Sequence, residues 1–264
     1  MNKILVPVDF SENSLNALNY AIQLFNKDAL EIVILTTYEA STNAFYVKSI
    51  DRVLEEGAQD DMDRLIRKLS SEHPGITFTP KIVNGNAVSV ITSMGNTGGY
   101  DYIVMGTKGA SGLKKVFMGS VAGGVIARTT AAVLVVPADY TFQPVDKILY
   151  AVGNTNYTDD SVLDPLRKMA EVCGAKVDVL HITEEENPDL SAQLSPIEDL
   201  SPEVTVLHTD DKVNESLNEY MEKEDTAMLC LVRTKKGMLG KLLNESVTLK
   251  QTFDSPVPLM VLHN

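Results

Sequence analysis

Apolar residues along this chain alternate between two periods. Short runs with almost no polar interruption occur at 2–8 (NKILVPV), 32–37, 103–105 after Tyr102, and 133–136. They are too short for core helices and rich in Val and Ile, so they read as buried strands. Between them the spacing lengthens to the helical period. Ser11 stands where a cap belongs, ahead of Leu15, Leu18, Ala21, Ile22 and Phe25. The stretch 49–69 predicts an amphipathic helix with Val53, Leu54, Met62, Leu65, Ile66 and Leu69 facing inward. Ile76 to Val83 reads as a strand closing at Asn84-Gly85, and Ala87 to Met94 as a short helix. Strands alternating with helices predict an α/β fold, a parallel sheet covered on both faces.

The pattern then starts again. Lys147-Ile-Leu-Tyr-Ala-Val152 lies 144 positions after Lys3-Ile-Leu-Val-Pro-Val8, and Val179-Leu-His-Ile182 lies 145 after Ile34-Leu-Thr-Thr37. Leu259-Met-Val-Leu262 follows Val133-Leu-Val-Val136 by only 126. The second copy is therefore shorter, and the loss falls where the first copy has its long helix. There the Pro- and Ser-rich stretch 187–202 predicts a loop. The chain reads as two tandem units, 1–138 and 146–264, joined by a linker at 138–145.

One stretch carries the chemistry. After the strand ending at Met105-Gly106, glycines recur at Gly106, Gly109 and Gly112, and Gly119-Ser120 opens the next helix. A loop running from a strand into a helix N-terminus leaves backbone N–H groups unpaired, which suits an anion. Glycines at 106, 109 and 119 are expected to take positive φ and let the backbone approach a phosphate. No acid lies between Tyr102 and Ala138, whereas Lys108, Lys114, Lys115 and Arg128 do. Neither the GxxxxGK nor the GxGxxG pattern is present. A turn-rich connection that merely needs glycine is the plainer alternative.

The spacing of Gly106, Gly109, Gly119 and Ser120, set between a buried strand and VLVVP, resembles the ATP-binding branch of the universal stress protein family. With the repeat, the resemblance covers nearly the whole chain. It implies two Rossmann-like five-stranded sheets of order 3-2-1-4-5 with helices on both faces. It also implies an intramolecular pseudodimer paired through the all-apolar last strands, which as bare edges would need cover. Ligands in such sheets bind where strand order reverses, here between the strands ending at Asp9 and at Met105-Gly106. The resemblance puts adenine and ribose near Pro7, Val8, Asp9, Thr37 and Tyr38. It puts the phosphates on Gly109, Gly119, Ser120 and Val121, with Lys108 beside them. Asp9 has a second available role, capping the first helix with Ser11. In the second copy, Gly153 replaces Asp9, and Glu245-Ser246 replaces Gly119-Ser120. A carboxylate about 4 Å from a phosphate costs on the order of 4 kcal/mol at an effective dielectric of 20. One nucleotide per chain is therefore expected.

Composition narrows the rest. The 264 residues are 44% hydrophobic, with no apolar run long enough to span a membrane and no signal-like start, so a cytoplasmic location is expected. Residues 1–138 carry 12 Lys and Arg against 13 Asp and Glu, while 139–264 carry 11 against 23. So acidic a second half argues against nucleic acid and anionic lipid as partners. Cys173 and Cys230 lack any CxxC spacing and read as core residues. His181, His208 and His263 fall near strand ends; a metal between the first two is weighed against ordinary core or surface histidines. The glycine loop offers no Asp, Glu or His as a base, and VDFSENS matches neither the HxGH nor the SGGxDS element of related nucleotide enzymes. Binding is expected, with at most slow ATP hydrolysis and with Mg²⁺ an open addition. The role that the resemblance implies is a stress-response sensor read by a protein partner not specified in the sequence, with further homodimerisation open. The alternatives are a scaffold or chaperone-like pseudodimer with an empty loop, and a small apolar ligand under the 187–200 stretch.

Overall fold

The structure, a computed structural model, describes residues 2–26, 29–39, 47–107, 119–153, 159–208, 213–233 and 255–264. In the first half, β1 (Asn2–Pro7), α1 (Glu12–Phe25), β2 (Leu30–Tyr38), α2 (Val47–Glu72), β3 (Ile76–Asn84), α3 (Ala87–Thr97), β4 (Tyr102–Gly106), α4 (Ser120–Arg128) and β5 (Val133–Val136) follow in turn. The second half runs β6 (Lys147–Val152), a 3₁₀ turn (Asp160–Leu163), α5 (Asp164–Cys173), β7 (Lys176–Thr183), α6 (Ser191–Leu194) and a second 3₁₀ segment (Ser195–Leu200). It closes with β8 (Glu203–His208), α7 (Val213–Lys223), β9 (Met228–Arg233) and β10 (Leu259–His263).

All of these strands lie in a single sheet of order β3-β2-β1-β4-β5-β10-β9-β6-β7-β8. Each half thus has the expected 3-2-1-4-5 arrangement. Every pairing is parallel except the central one, where β10 meets β5 antiparallel with Leu259 opposite Val135 and Val261 opposite Val133. Val133 to Val136 are all buried, as are Leu259 to Leu262. Each strand supplies the other with the ladder and the apolar neighbours that its own unit lacks.

Alternation along the strands divides the core in two. Ile4, Val6, Tyr102, Val104, Tyr150 and Val179 face one layer, and Leu5, Ile103, Met105, Val133, Leu180 and Val261 face the other. The first layer runs unbroken across both halves. The Tyr102 hydroxyl on β4 donates to the Pro165 carbonyl on α5 at 2.7 Å, and Lys168 on α5 pairs with Asp101. The connection at 138–145 belongs to this layer rather than hanging as a tether. Tyr140 and Phe142 pack edge-on to Tyr20, and Asn16 Nδ2 donates to the Pro137, Ala138 and Tyr140 carbonyls.

Two expectations are corrected. Val53 and Leu54 do not face inward: they are 67% and 41% exposed, whereas Met62 and Leu69 are buried. At 26 residues α2 is about 39 Å long, longer than the nine-residue strands beside it, so its first turns overrun the sheet. The stretch 187–202 is not a plain loop either. It forms α6, preceded by buried Leu190, and a 3₁₀ segment whose Pro196 and Ile197 are buried, capping with short turns the core that α2 covers in the first half.

Candidate functional site

The C-terminal ends of β1 and β4, adjacent parallel strands, are shaped by two different turns. Beyond Pro7 the chain stays in line with the sheet for one more residue. The Val8 N–H donates to the Leu35 carbonyl and the Thr36 hydroxyl donates to the Val8 carbonyl, both at 2.8 Å. It then turns sharply through Phe10, whose φ of +59° is left-handed and unusual for a bulky side chain. A serine and aspartate network fixes that turn. Asp9 Oδ1 accepts from the Ser11 N–H at 3.1 Å and the Ser11 hydroxyl at 2.5 Å. Ser11 Oγ accepts from the Ser14 N–H as the N-cap of α1, and Ser14 Oγ accepts from the Asp9 N–H, each at 3.3 Å. Asp9 therefore does serve the α1 cap, and it still lies exposed at the strand end.

On the β4 side, the Thr107 N–H donates to the Val136 carbonyl at 3.1 Å, and the Thr107 carbonyl accepts from the Gly119 N–H. That second bond anchors the start of α4 to the end of β4. Gly119 is the N-cap in an extended conformation (φ −56°, ψ 155°) with no side-chain capping bond. The first intrahelical bond here is Gly123 N–H to the Gly119 carbonyl at 2.9 Å. The N–H groups of Ser120, Val121 and Ala122 thus have no partner within the helix, and they carry the positive end of its dipole.

Between the two turns lies a cleft lined by Pro7, Val8, Asp9, Ser14, Thr37, Ala87, Ile91, Met105, Gly106, Thr107, Gly119, Val121 and Ala122. It is largely apolar, with a few convergent polar groups, the usual make-up of a small-molecule site. The structure thus brings Pro7, Val8, Asp9, Thr37, Met105, Gly106, Gly119 and Val121 together. Tyr38 is next to Thr37 at the end of β2, its carbonyl accepting from the Gly85 N–H at 2.8 Å, and Ser120 is an exposed first-turn residue of α4; neither lines the cleft. Lys108 and Gly109 lie outside the described residues, as do Gly112, Lys114 and Lys115.

The glycines and charges need correction. Gly106 and Gly119 do not adopt positive φ. A Cβ on Gly106 would sit 2.9 Å from the Asn13 carbonyl oxygen, so glycine is required there by the close approach of α1. Arg128 is in the last turn of α4, about 12 Å along the axis from Ser120 and at the wrong end for an anion at the N-terminus. Ser14, Ala87, Ile91, Thr107 and Ala122 were not anticipated. Ala87 and Ile91 share a face of α3 at i, i+4, but the sequence does not reveal that α3 packs beside α4. That contact is close: a Cβ on Gly124 would meet Val88 at 2.8 Å.

Among the described residues, the second half differs from this arrangement at the end of β6. Gly153 follows β6 where Asp9 follows β1, and its carbonyl accepts from Gln193 Nε2 at 3.4 Å, so α6 reaches across that strand end. The carbonyl equivalent to that of Val8, on Val152, accepts from buried His181 Nδ1 at 3.0 Å instead of from a threonine. Glu245 and Ser246 lie outside the described residues. His208 is exposed at the end of β8, two positions past the residue paired with His181, and no metal-type cluster occurs among the described residues. His263 Nε2 donates to the Ile126 carbonyl on α4 at 2.9 Å; burial first, with nearby Arg233, holds its pKa below the ordinary histidine value.

A family model described as the universal stress protein family matches residues 1–137. The universal stress protein YxiE of Bacillus subtilis is 30% identical over 145 residues, covering 51% of this chain and 98% of that protein. The universal stress protein MJ0531 of Methanocaldococcus jannaschii is 29% identical over 139 residues, covering 51% and 81%. Among solved structures, a universal stress protein from Archaeoglobus fulgidus superposes with a TM-score of 0.71 at 21% identity, covering all of this chain and 96% of that one. That likeness extends the shared fold to both halves.

Proposed function

The chain belongs to the universal stress protein family, and from that premise we propose that its first unit binds ATP at the ends of β1 and β4 as a stress-response sensor. The observation that supports this most is the uncapped start of α4 opening on the same cleft as Asp9. Adenine and ribose would lie toward Pro7, Val8, Asp9, Thr37 and Tyr38. The phosphates would lie on Gly109, Gly119, Ser120 and Val121, meeting the amides of Ser120 and Val121 while the Gly119 N–H stays with the Thr107 carbonyl, and with Lys108 as counter-charge. Mg²⁺, if it accompanies the nucleotide, would neutralise triphosphate charge. Among the described lining residues Asp9 is the sole carboxylate and there is no histidine, which favours binding over hydrolysis. We take 1–138 and 146–264 as the two units, with the second lacking a nucleotide site and a protein partner reading the occupied first. A cytoplasmic location fits this role; no helix among the described residues is long and apolar enough to cross a membrane.

Thermal melting tests the proposal. ATP at about 100 times its Kd should stabilise the protein by roughly 2.7 kcal/mol. A scaffold whose loop binds nothing would show no shift.

A further inference from the structure

Thr107 is the one described residue that touches the cleft, holds the start of α4 and carries a buried hydroxyl to which no described group is hydrogen-bonded. Its backbone is fully engaged, by Val136 on one side and Gly119 on the other. Its side chain is not: among the described residues Oγ1 is buried with no hydrogen-bond partner. A buried hydroxyl without an acceptor is destabilising, and that cost disappears when a ligand supplies the missing acceptor. Like Met105, the residue lines the cleft, and its carbonyl holds Gly119 next to the three first-turn amides of α4 that have no partner within the helix. An anionic oxygen held by those amides is the acceptor chemically suited to a hydroxyl there.

We propose that Thr107 is a specificity-determining residue of the cleft, its hydroxyl donating to a phosphate oxygen of the bound nucleotide and so favouring nucleotides over nucleosides. This rests on the nucleotide reading given above, and the test separates the two. ATP and adenosine are titrated calorimetrically into the full chain, wild type and Thr107→Val, a change that keeps the shape and removes the hydroxyl. The expected result is about tenfold weaker ATP binding by the variant, with adenosine binding unchanged and Thr107→Ser restoring most of the ATP affinity. Without ligand, Thr107→Val should melt at the same temperature as wild type or higher, because an orphan polar group has been replaced by a methyl. If wild type binds ATP and Thr107→Val binds it equally well, the assignment of Thr107 is overturned while the nucleotide reading stands. Equal losses for ATP and adenosine, or a lower melting temperature for the ligand-free variant, would also overturn it. If wild type fails to bind ATP, the nucleotide reading itself falls.

Discussion

Gly106 shows how a visible residue can have an invisible reason. Its place after a buried strand marks it in the sequence as part of a phosphate loop, yet its backbone is ordinary and its role is steric. The Asn13 carbonyl is too close for a Cβ, and only the crossing of α1 over β4 reveals this. Gly106→Ala should cost about 1–3 kcal/mol in urea denaturation by displacing the first turn of α1, together with the Ser11–Ser14 cap that fixes Asp9. An unchanged midpoint would mean that α1 shifts freely. The capping role of Asp9 was legible, because an acidic residue two before a helix-capping serine is a local signal. Phe10 was not, since a left-handed aromatic follows from the tertiary path and from no propensity of Phe itself.

Among the elements, α4 holds the site's chemistry at one end and a link to the other unit near its last turns. Its start is uncapped, so a carboxylate there would compete for the amides that an anion needs. Gly119→Glu should abolish the ATP-dependent melting shift while leaving the circular dichroism spectrum of the free protein unchanged. Near its other end, the Ile126 carbonyl accepts from His263 of β10. Burial, with Arg233 adding to it, depresses the His263 pKa. The folded state therefore resists a proton that the unfolded chain takes up near its ordinary value of about 6.5. That contribution to stability is complete above this value and is lost as pH falls through the folded pKa. The fall in urea stability between about pH 7 and pH 5 should accordingly be shallower in His263→Gln than in wild type; equal slopes would contradict it. The hydrophobic periods made most strands and helices readable. They misjudged the start of α2, because amphipathic spacing persists past the edge of the sheet that gives it meaning. They also missed α6, because a four-residue helix has no period to detect.

For the molecule as a whole, the consequence of tandem duplication is one sheet with a shared core layer. The repeat was legible because each unit restates the same buried strands, and the pairing of β5 with β10 because neither all-apolar edge could face water. How tightly the units are joined was not legible. Tyr102 and Pro165 are 63 residues apart in sequence and meet only through the sheet. Tyr102→Phe should lower global stability by about 1 kcal/mol, and unfolding followed by near- and far-ultraviolet circular dichroism should remain a single coincident transition. Two separated transitions would show that the layer does not couple the units. The two units share strand order but not their strand ends: Asp9 and an open cleft in one, Gly153 under Gln193 in the other. Calorimetric titration of ATP into the intact chain tests that asymmetry most directly. The account predicts one site per chain, lost in Gly119→Glu. No measurable heat of binding, or two equivalent sites, would contradict it.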